Sequence, residues 1–145
     1  MRTEESEASR HGVGARTFLI VGVNHKTAPD LLRERLQGDD ADIFRLLMRC
    51  RDVGLDQAVA VVTCDRCEVW CCIAPPEADA VVKRIADLLA EAADLDLSDI
   101  VPRLHQERDQ AALRYACAVA ASLESTVIGE PQVLGQIKAA HLLAS

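Results

Sequence analysis

The sequence predicts an α+β fold, a split βαβ sheet layered with helices and followed by C-terminal helices. Two observations carry this expectation. Short β-branched runs and amphipathic stretches alternate in the order β-α-β-β-α-β. Two apolar runs, 57–64 and 67–74, are separated only by Asp65-Arg66, a link of hairpin length. The chain has 145 residues, enough for one domain with a proper core.

Residues 1–16, "MRTEESEASRHGVGAR", contain three glutamates and no apolar run, and read as a flexible leader rather than an export signal. "TFLIVGV" (17–23) is a β-branched run ending near a glycine, suited to a buried strand. "NHKTAP" is a loop closed by Pro29, and "DLLRERLQ" starts a helix with Asp30 as its expected N-cap. Apolar residues at 43, 44, 47, 48 and 50 give "DDADIFRLLMRCRD" a helical period. After the two hairpin strands, "PPEADAVVKRIADLLAEAADL" repeats apolar residues at 81, 82, 85, 88 and 89, behind a proline start. "DLSDIVPRLHQE" has room for a short helix and a fourth strand. "DQAALRYACAVAASLEST" and "PQVLGQIKAAHLLAS" are helical in composition, and the second reaches Ser145 without a cap.

Half the residues are apolar, yet no run nears the 18 or so needed to cross a bilayer, so no membrane association is expected. Without an export signal the expected compartment is the reducing cytoplasm, where six cysteines do not imply disulfides. Net charge is −7, which argues against binding nucleic acid through overall field. Lys26 to Arg66 holds seven basic and eight acidic residues, whereas Cys67 to Glu130 holds five and twelve, so a polyanion should approach the first half. Four aromatic residues (Phe18, Phe44, Trp70, Tyr115) are too few for a base-stacking platform.

"VVTCDRCEVWCC" (61–72) concentrates four of the six cysteines. Cys64 and Cys67 have the gap of a zinc knuckle, but no second pair matches it, and Cys71 and Cys72 on a strand point to opposite faces. No metal site is expected. A thioredoxin-like pair would place the cysteines at a helix N-terminus, whereas here a strand follows. Cys50, Cys71, Cys72 and Cys117 read as core residues. Cys64 ends a strand at a tight turn with Arg66 two residues on, a place where a thiolate can be held and presented. A nucleophile, a redox sensor using Cys64 and Cys67, and a binding module all remain open on these grounds.

Three stretches narrow the choice. "GVNHKTAPDLLRERL" (22–36), "TCDRCE" (63–68) and "SLESTVIGEPQVLGQIKAA" (122–140) resemble, in order and separation, the N-terminal catalytic domain of glutamyl-tRNA reductase. The likeness spans residues 17–145. It implies a ferredoxin-like fold and a role in tetrapyrrole (porphyrin) biosynthesis. In that chemistry a cysteine thiolate takes the glutamyl group from glutamyl-tRNA as a thioester. NADPH then reduces the thioester to glutamate-1-semialdehyde.

By resemblance Cys64 is the nucleophile, and Thr63, Asp65 and Arg66 surround the substrate glutamate. Ser125, Glu130, Pro131, Gln132 and Gln136 match further substrate-contacting positions. Tyr115 stands where the family carries a catalytic histidine. The family's Cys-Asn-Arg-Thr-Glu turn has Asp65 and Cys67 here in place of Asn and Thr, and Ser122 and Glu124 replace Gly and Asp of its "GLDS". His25 and Lys26 are expected to order the loop beside the site, and His105 matches no family histidine. Partners implied are glutamyl-tRNA and glutamate-1-semialdehyde aminotransferase; the family forms homodimers, through a dimerisation domain expected to be absent here. The family's nucleotide-binding and dimerisation domains are expected to be absent, since the glycines at 12, 14, 22, 38, 54, 129 and 135 never form G-x-G-x-x-G. The alternatives are a non-catalytic relative that binds glutamyl-tRNA or a pathway partner, and the thiol sensor.

Overall fold

The structure is a computed structural model describing residues 16–121. Four strands form its sheet: β1 (Thr17–Asn24), β2 (Ala58–Val62), β3 (Arg66–Ile73) and β4 (His105–Arg108). Five α-helices accompany them: α1 (Asp30–Leu36), α2 (Asp40–Asp52), α3 (Ala78–Ala93), α4 (Leu97–Ile100) and α5 (Asp109–Ala120). Short 3-10 turns at Pro75–Glu77 and Val101–Arg103 precede α3 and β4. The sheet order is β2-β3-β1-β4, every neighbouring pair antiparallel. A first strand flanked by the third and fourth is the ferredoxin-like arrangement that the sequence predicts.

Period-2 alternation divides the two central strands into unlike faces. Leu19, Val21 and Val23 of β1 and Cys67, Val69, Cys71 and Ile73 of β3 belong to the main core, with α1, α2 and α3 residues such as Leu32, Leu47, Ile85 and Leu89. The even-numbered residues of β3, Arg66, Glu68, Trp70 and Cys72, lie on the other face, where α5 packs against β1 and β4. That second face carries charge. Arg66 and Glu68 are as buried as any residue in the domain, at 1% and 0% exposure.

Local chemistry explains several boundaries. α2 starts in a capping box: Asp39 accepts from the Asp42 amide, and Asp42 accepts from the Asp39 amide. α3 ends with Asp94 in the left-handed region, at φ 53°, where an aspartate is tolerated more readily than most residues.

Three expectations need correction. Pro29, not Asp30, is the N-cap of α1; Asp30 is the first helical residue and pairs with Arg33. The hairpin link is Thr63-Cys64-Asp65 rather than Asp65-Arg66, closed by the Thr63 amide donating to the Arg66 carbonyl at 2.9 Å. Cys117 is exposed and Cys72 half-buried, because helix and strand turn them from the core that encloses Cys50 and Cys71. The leader to residue 15, Ser122, Glu124, Ser125, Glu130, Pro131, Gln132, Gln136 and the final helix lie outside the described residues.

Candidate active site

Cys64 sits at the apex of the β2–β3 turn with its side chain exposed. The flanking residues are buried: Thr63 at 5% exposure and Asp65 at 4%. Thr63 Oγ1 accepts from the Asp65 amide at 3.1 Å, which tightens the turn across the cysteine. From α1, Arg33 Nη1 donates to the Cys64 carbonyl at 2.7 Å, and Gln37 Nε2 donates to the same oxygen at 3.3 Å. Arg33 Nη1 also lies 3.9 Å from the Asp65 carboxylate, and its Nε donates to the Ala28 carbonyl. One arginine thus ties the "NHKTAP" loop, the start of α1 and the cysteine turn together.

Behind the turn lies a buried polar group on the second face of the sheet. Arg66 pairs across β1 with Asn24, and Glu68 with Gly22, whose other neighbour is His105 on β4. Gly22 is required here by close approach. A Cβ at this position would lie 2.3 Å from the Cys67 carbonyl oxygen and 2.9 Å from Glu68 Cγ. Its absence leaves room for the Glu68 side chain.

Glu68 Oε2 accepts from His105 Nε2 at 2.6 Å and from the Tyr115 hydroxyl, while Oε1 accepts from Trp70 Nε1 at 3.2 Å and lies 3.7 Å from Arg66 Nη1. Tyr115 Oη in turn accepts from Arg66 Nη1 at 2.7 Å and from Asn24 Nδ2 at 3.1 Å. One donated and two accepted bonds saturate a phenol. Burial first, and the Glu68 carboxylate second, hold its proton on far above the ordinary tyrosine range. Tyr115 therefore cannot act as the base that a histidine would supply.

Asn24 links this group to the loop, since its Oδ1 accepts from the amides of Lys26 and Thr27. His25 has its pKa lowered, mainly by burial, with Asp65 opposing and Arg66 adding to the effect. Cys67 takes no part. It faces the opposite side of the sheet at 2% exposure, and burial raises its thiol to about 12. The same cause raises Cys50 to about 11 and Cys71 to about 12.

Of the residues the sequence singles out, Arg66 donates to Tyr115, while Thr63, Cys64 and Asp65 form the adjoining turn. Arg33, Gln37, Asn24, Glu68 and His105 were not foreseen. Only Glu68 had a readable signal, since it lies two residues beyond Arg66 on one strand and so shares its face.

Residues 21–145 match the family model described as glutamyl-tRNAGlu reductase, N-terminal domain. The chain belongs to the glutamyl-tRNA reductase family. It is 38% identical over 132 residues to the glutamyl-tRNA reductase of Shewanella denitrificans, covering 88% of this chain and 30% of that protein. With the Rhodospirillum rubrum glutamyl-tRNA reductase it shares 37% over 127 residues, covering 88% and 29%. The solved glutamyl-tRNA reductase from Methanopyrus kandleri superposes with a TM-score of 0.64 at 26% identity, over 88% of this chain and 28% of that one. The chain therefore spans under a third of the length of these family members, the part that forms their N-terminal domain.

The described glycines do not suit a dinucleotide. Gly22 is backed by Glu68, Gly38 faces Asp42, and Gly54 occupies a turn at φ 90°. The helix after Gly38 begins with Asp39, Asp40 and Asp42, which repel phosphate. Among the described residues no helix is long and apolar enough to cross a membrane.

Proposed function

We propose that this domain takes the glutamyl group of glutamyl-tRNA onto Cys64 as a thioester. The observation that carries the reading is the exposed Cys64 on a turn whose backbone is clamped by Arg33 and Gln37, directly ahead of buried Arg66. Sγ attacks the ester carbonyl carbon, the S–C bond forms and the C–O bond to the ribose breaks. The proton lost by the thiol ends on the ribose oxygen, so free tRNA leaves. A thiol suits this step because it is strongly nucleophilic and its thioester accepts hydride more readily than an oxygen ester.

Arg66 takes the side-chain carboxylate of the glutamate, for which a guanidinium fork has the right shape. Because Arg66 is almost fully buried, that carboxylate replaces the Tyr115 hydroxyl as the acceptor of Nη1. Thr63 and Asp65 hold the turn, and Ser125, Glu130, Pro131, Gln132 and Gln136 complete the substrate contacts by family pattern. NADPH would supply the hydride that turns the thioester into glutamate-1-semialdehyde. The described residues offer no fit for its phosphates, so no step involving it is assigned to this domain. Contact with the aminotransferase that uses the product and a cytoplasmic setting accompany the reading.

Incubation with tRNA carrying radiolabelled glutamate tests it. Label should remain on wild type and on Cys67→Ala and be missing from Cys64→Ser. Label retained by Cys64→Ser would refute the assignment.

A further inference from the structure

The Cys64 thiol carries a proton that the leaving ribose oxygen must gain, and Tyr115, at the family's histidine position, holds its own proton too firmly to relay it. Another histidine stands beside the turn. Asn24, the last residue of β1, pairs with Arg66. The next step along both chains sets His25 against Asp65, the neighbour of Cys64.

The loop does not depend on the His25 ring for its shape. Asn24 Oδ1 accepts from the amides of Lys26 and Thr27, and the Asn24 amide donates to Thr27 Oγ1 at 3.0 Å. The Ala28 amide donates to the Asn24 carbonyl at 2.9 Å, and Arg33 holds the Ala28 and Cys64 carbonyls with one guanidinium. His25 Nδ1, by contrast, is buried and has no hydrogen-bond partner among the described residues. Native folds rarely keep a buried polar atom in this state, and a part in the chemistry is one physical reason for doing so. Four charged groups act on the ring: Asp65 and Arg66 from the turn and β3, Lys26 from its own loop, and Arg33 from α1. Burial is the main cause that lowers its pKa; Asp65 opposes the shift and the three cations add to it. The ring is therefore uncharged at neutral pH and able to take a proton.

We infer that His25 is a catalytic residue of the acylation step, its Nδ1 taking the proton from the Cys64 thiol and passing it to the ribose oxygen of the leaving tRNA. The inference rests on the thioester reading above. As the S–C bond forms, the S–H electron pair stays on sulfur and the proton moves to the imidazole. As the C–O bond breaks, its electron pair goes to the ribose oxygen, which takes that proton, so the ring ends as it began. No hydrogen bond joins Nδ1 to Cys64 in the free domain. Catalytic contacts commonly tighten only when substrate is bound.

The test compares two donors of radiolabelled glutamate in single-turnover acylation of Cys64. In glutamyl-tRNA the ribose oxygen must be protonated to leave; in the α-(p-nitrophenyl) ester of glutamate the phenolate leaves as a stable anion. His25→Gln should slow acylation by glutamyl-tRNA by about a hundredfold or more, and acylation by the nitrophenyl ester by under about tenfold. Equal slowing with both donors would make His25 a support of the loop, and no slowing with either would make it idle. Each result overturns the inference, while label on Cys64 leaves the thioester reading intact. A wild type that takes no label from glutamyl-tRNA overturns both. A second measurement needs no variant to fold: in heavy water wild type should slow by roughly twofold with glutamyl-tRNA and scarcely at all with the nitrophenyl ester. The same solvent effect on both donors would also overturn the inference.

Discussion

Arg33 reaches from the second turn of its helix to the carbonyl oxygen of Cys64, 31 residues away in sequence, at 2.7 Å. A residue that reads as ordinary helix surface therefore holds the apex on which the thiol is presented. Removing it frees the turn and takes away the guanidinium that lies 3.9 Å from the buried Asp65 carboxylate. Arg33→Ala should cost about 1.5–3 kcal/mol of stability, the range for a hydrogen bond to a charged group. Acylation of Cys64 should fall by roughly ten- to a hundredfold from lost positioning. Arg33→Lys should recover little, since one ammonium cannot serve Ala28, Cys64 and Asp65 together. Chemical denaturation and single-turnover labelling check both parts.

Gly22→Ala tests the passage through which Glu68 reaches His105. The added methyl would meet backbone at 2.3 Å and 2.6 Å, and backbone in a central strand pair cannot step aside as a side-chain tip can. A loss on the order of 3 kcal/mol or more is expected, at the upper end for overpacking. A fully stable Gly22→Ala protein would contradict the geometry.

Asp65→Asn separates two effects of the carboxylate beside the nucleophile. A negative charge next to a thiol disfavours the thiolate, but Arg33 at 3.9 Å offsets part of that charge. Iodoacetamide should therefore modify Cys64 of Asp65→Asn faster at neutral pH, by less than about tenfold, since one full pKa unit is tenfold in thiolate. Alkylation rates from pH 6 to 10 measure it.

The core thiols predict how the fold responds to alkali. Cys50, Cys67 and Cys71 have folded-state pKa values raised to about 11, 12 and 12, above that of an exposed thiol. An acid whose folded pKa is raised binds more protons folded than unfolded once pH passes the unfolded value. Its stabilisation is complete below that value, near 8.5, and declines toward the folded pKa. Each such thiol should cost about 1.4 kcal/mol per pH unit within its window. Melting temperature should drop steeply above pH 9, and less steeply in Cys67→Ala. Near neutral pH the three should resist alkylation while Cys64 and Cys117 react. Paired loss of Cys64 and Cys67 labelling on mild oxidation would instead favour the sensor reading.

Strand order was legible because the apolar runs of β1, β2 and β3 are short and β-branched and the link between the last two is a hairpin. The turn was legible to within one or two residues, and Cys64 was correctly placed at its exposed tip. What sequence could not supply is contact between residues distant in the chain. His105 lies ten residues before Tyr115, yet the two share Glu68 Oε2 only because β4 pairs with β1 while α5 folds back over the sheet. Cys117 was misjudged for a related reason: an alanine-rich helix has no sharp apolar stripe from which to read its buried side. Arg33 carried no signal at all, since an arginine on a short helix reads as a solvated charge.

The contrast between the two faces of β3 bears on how the chain finds its pairing during folding. A slip of one residue turns every side chain of a strand to the opposite face. In β3 such a slip would drive Arg66 and Glu68 into the space of Cys67 and Val69, among Leu47, Ile85 and Leu89, where neither charge has a partner. Nascent hairpins with shifted pairing would carry a penalty of several kcal/mol from those charges and so dissolve before α5 docks. Residues that serve a reaction in the finished domain would in this way also proofread the sheet while it assembles.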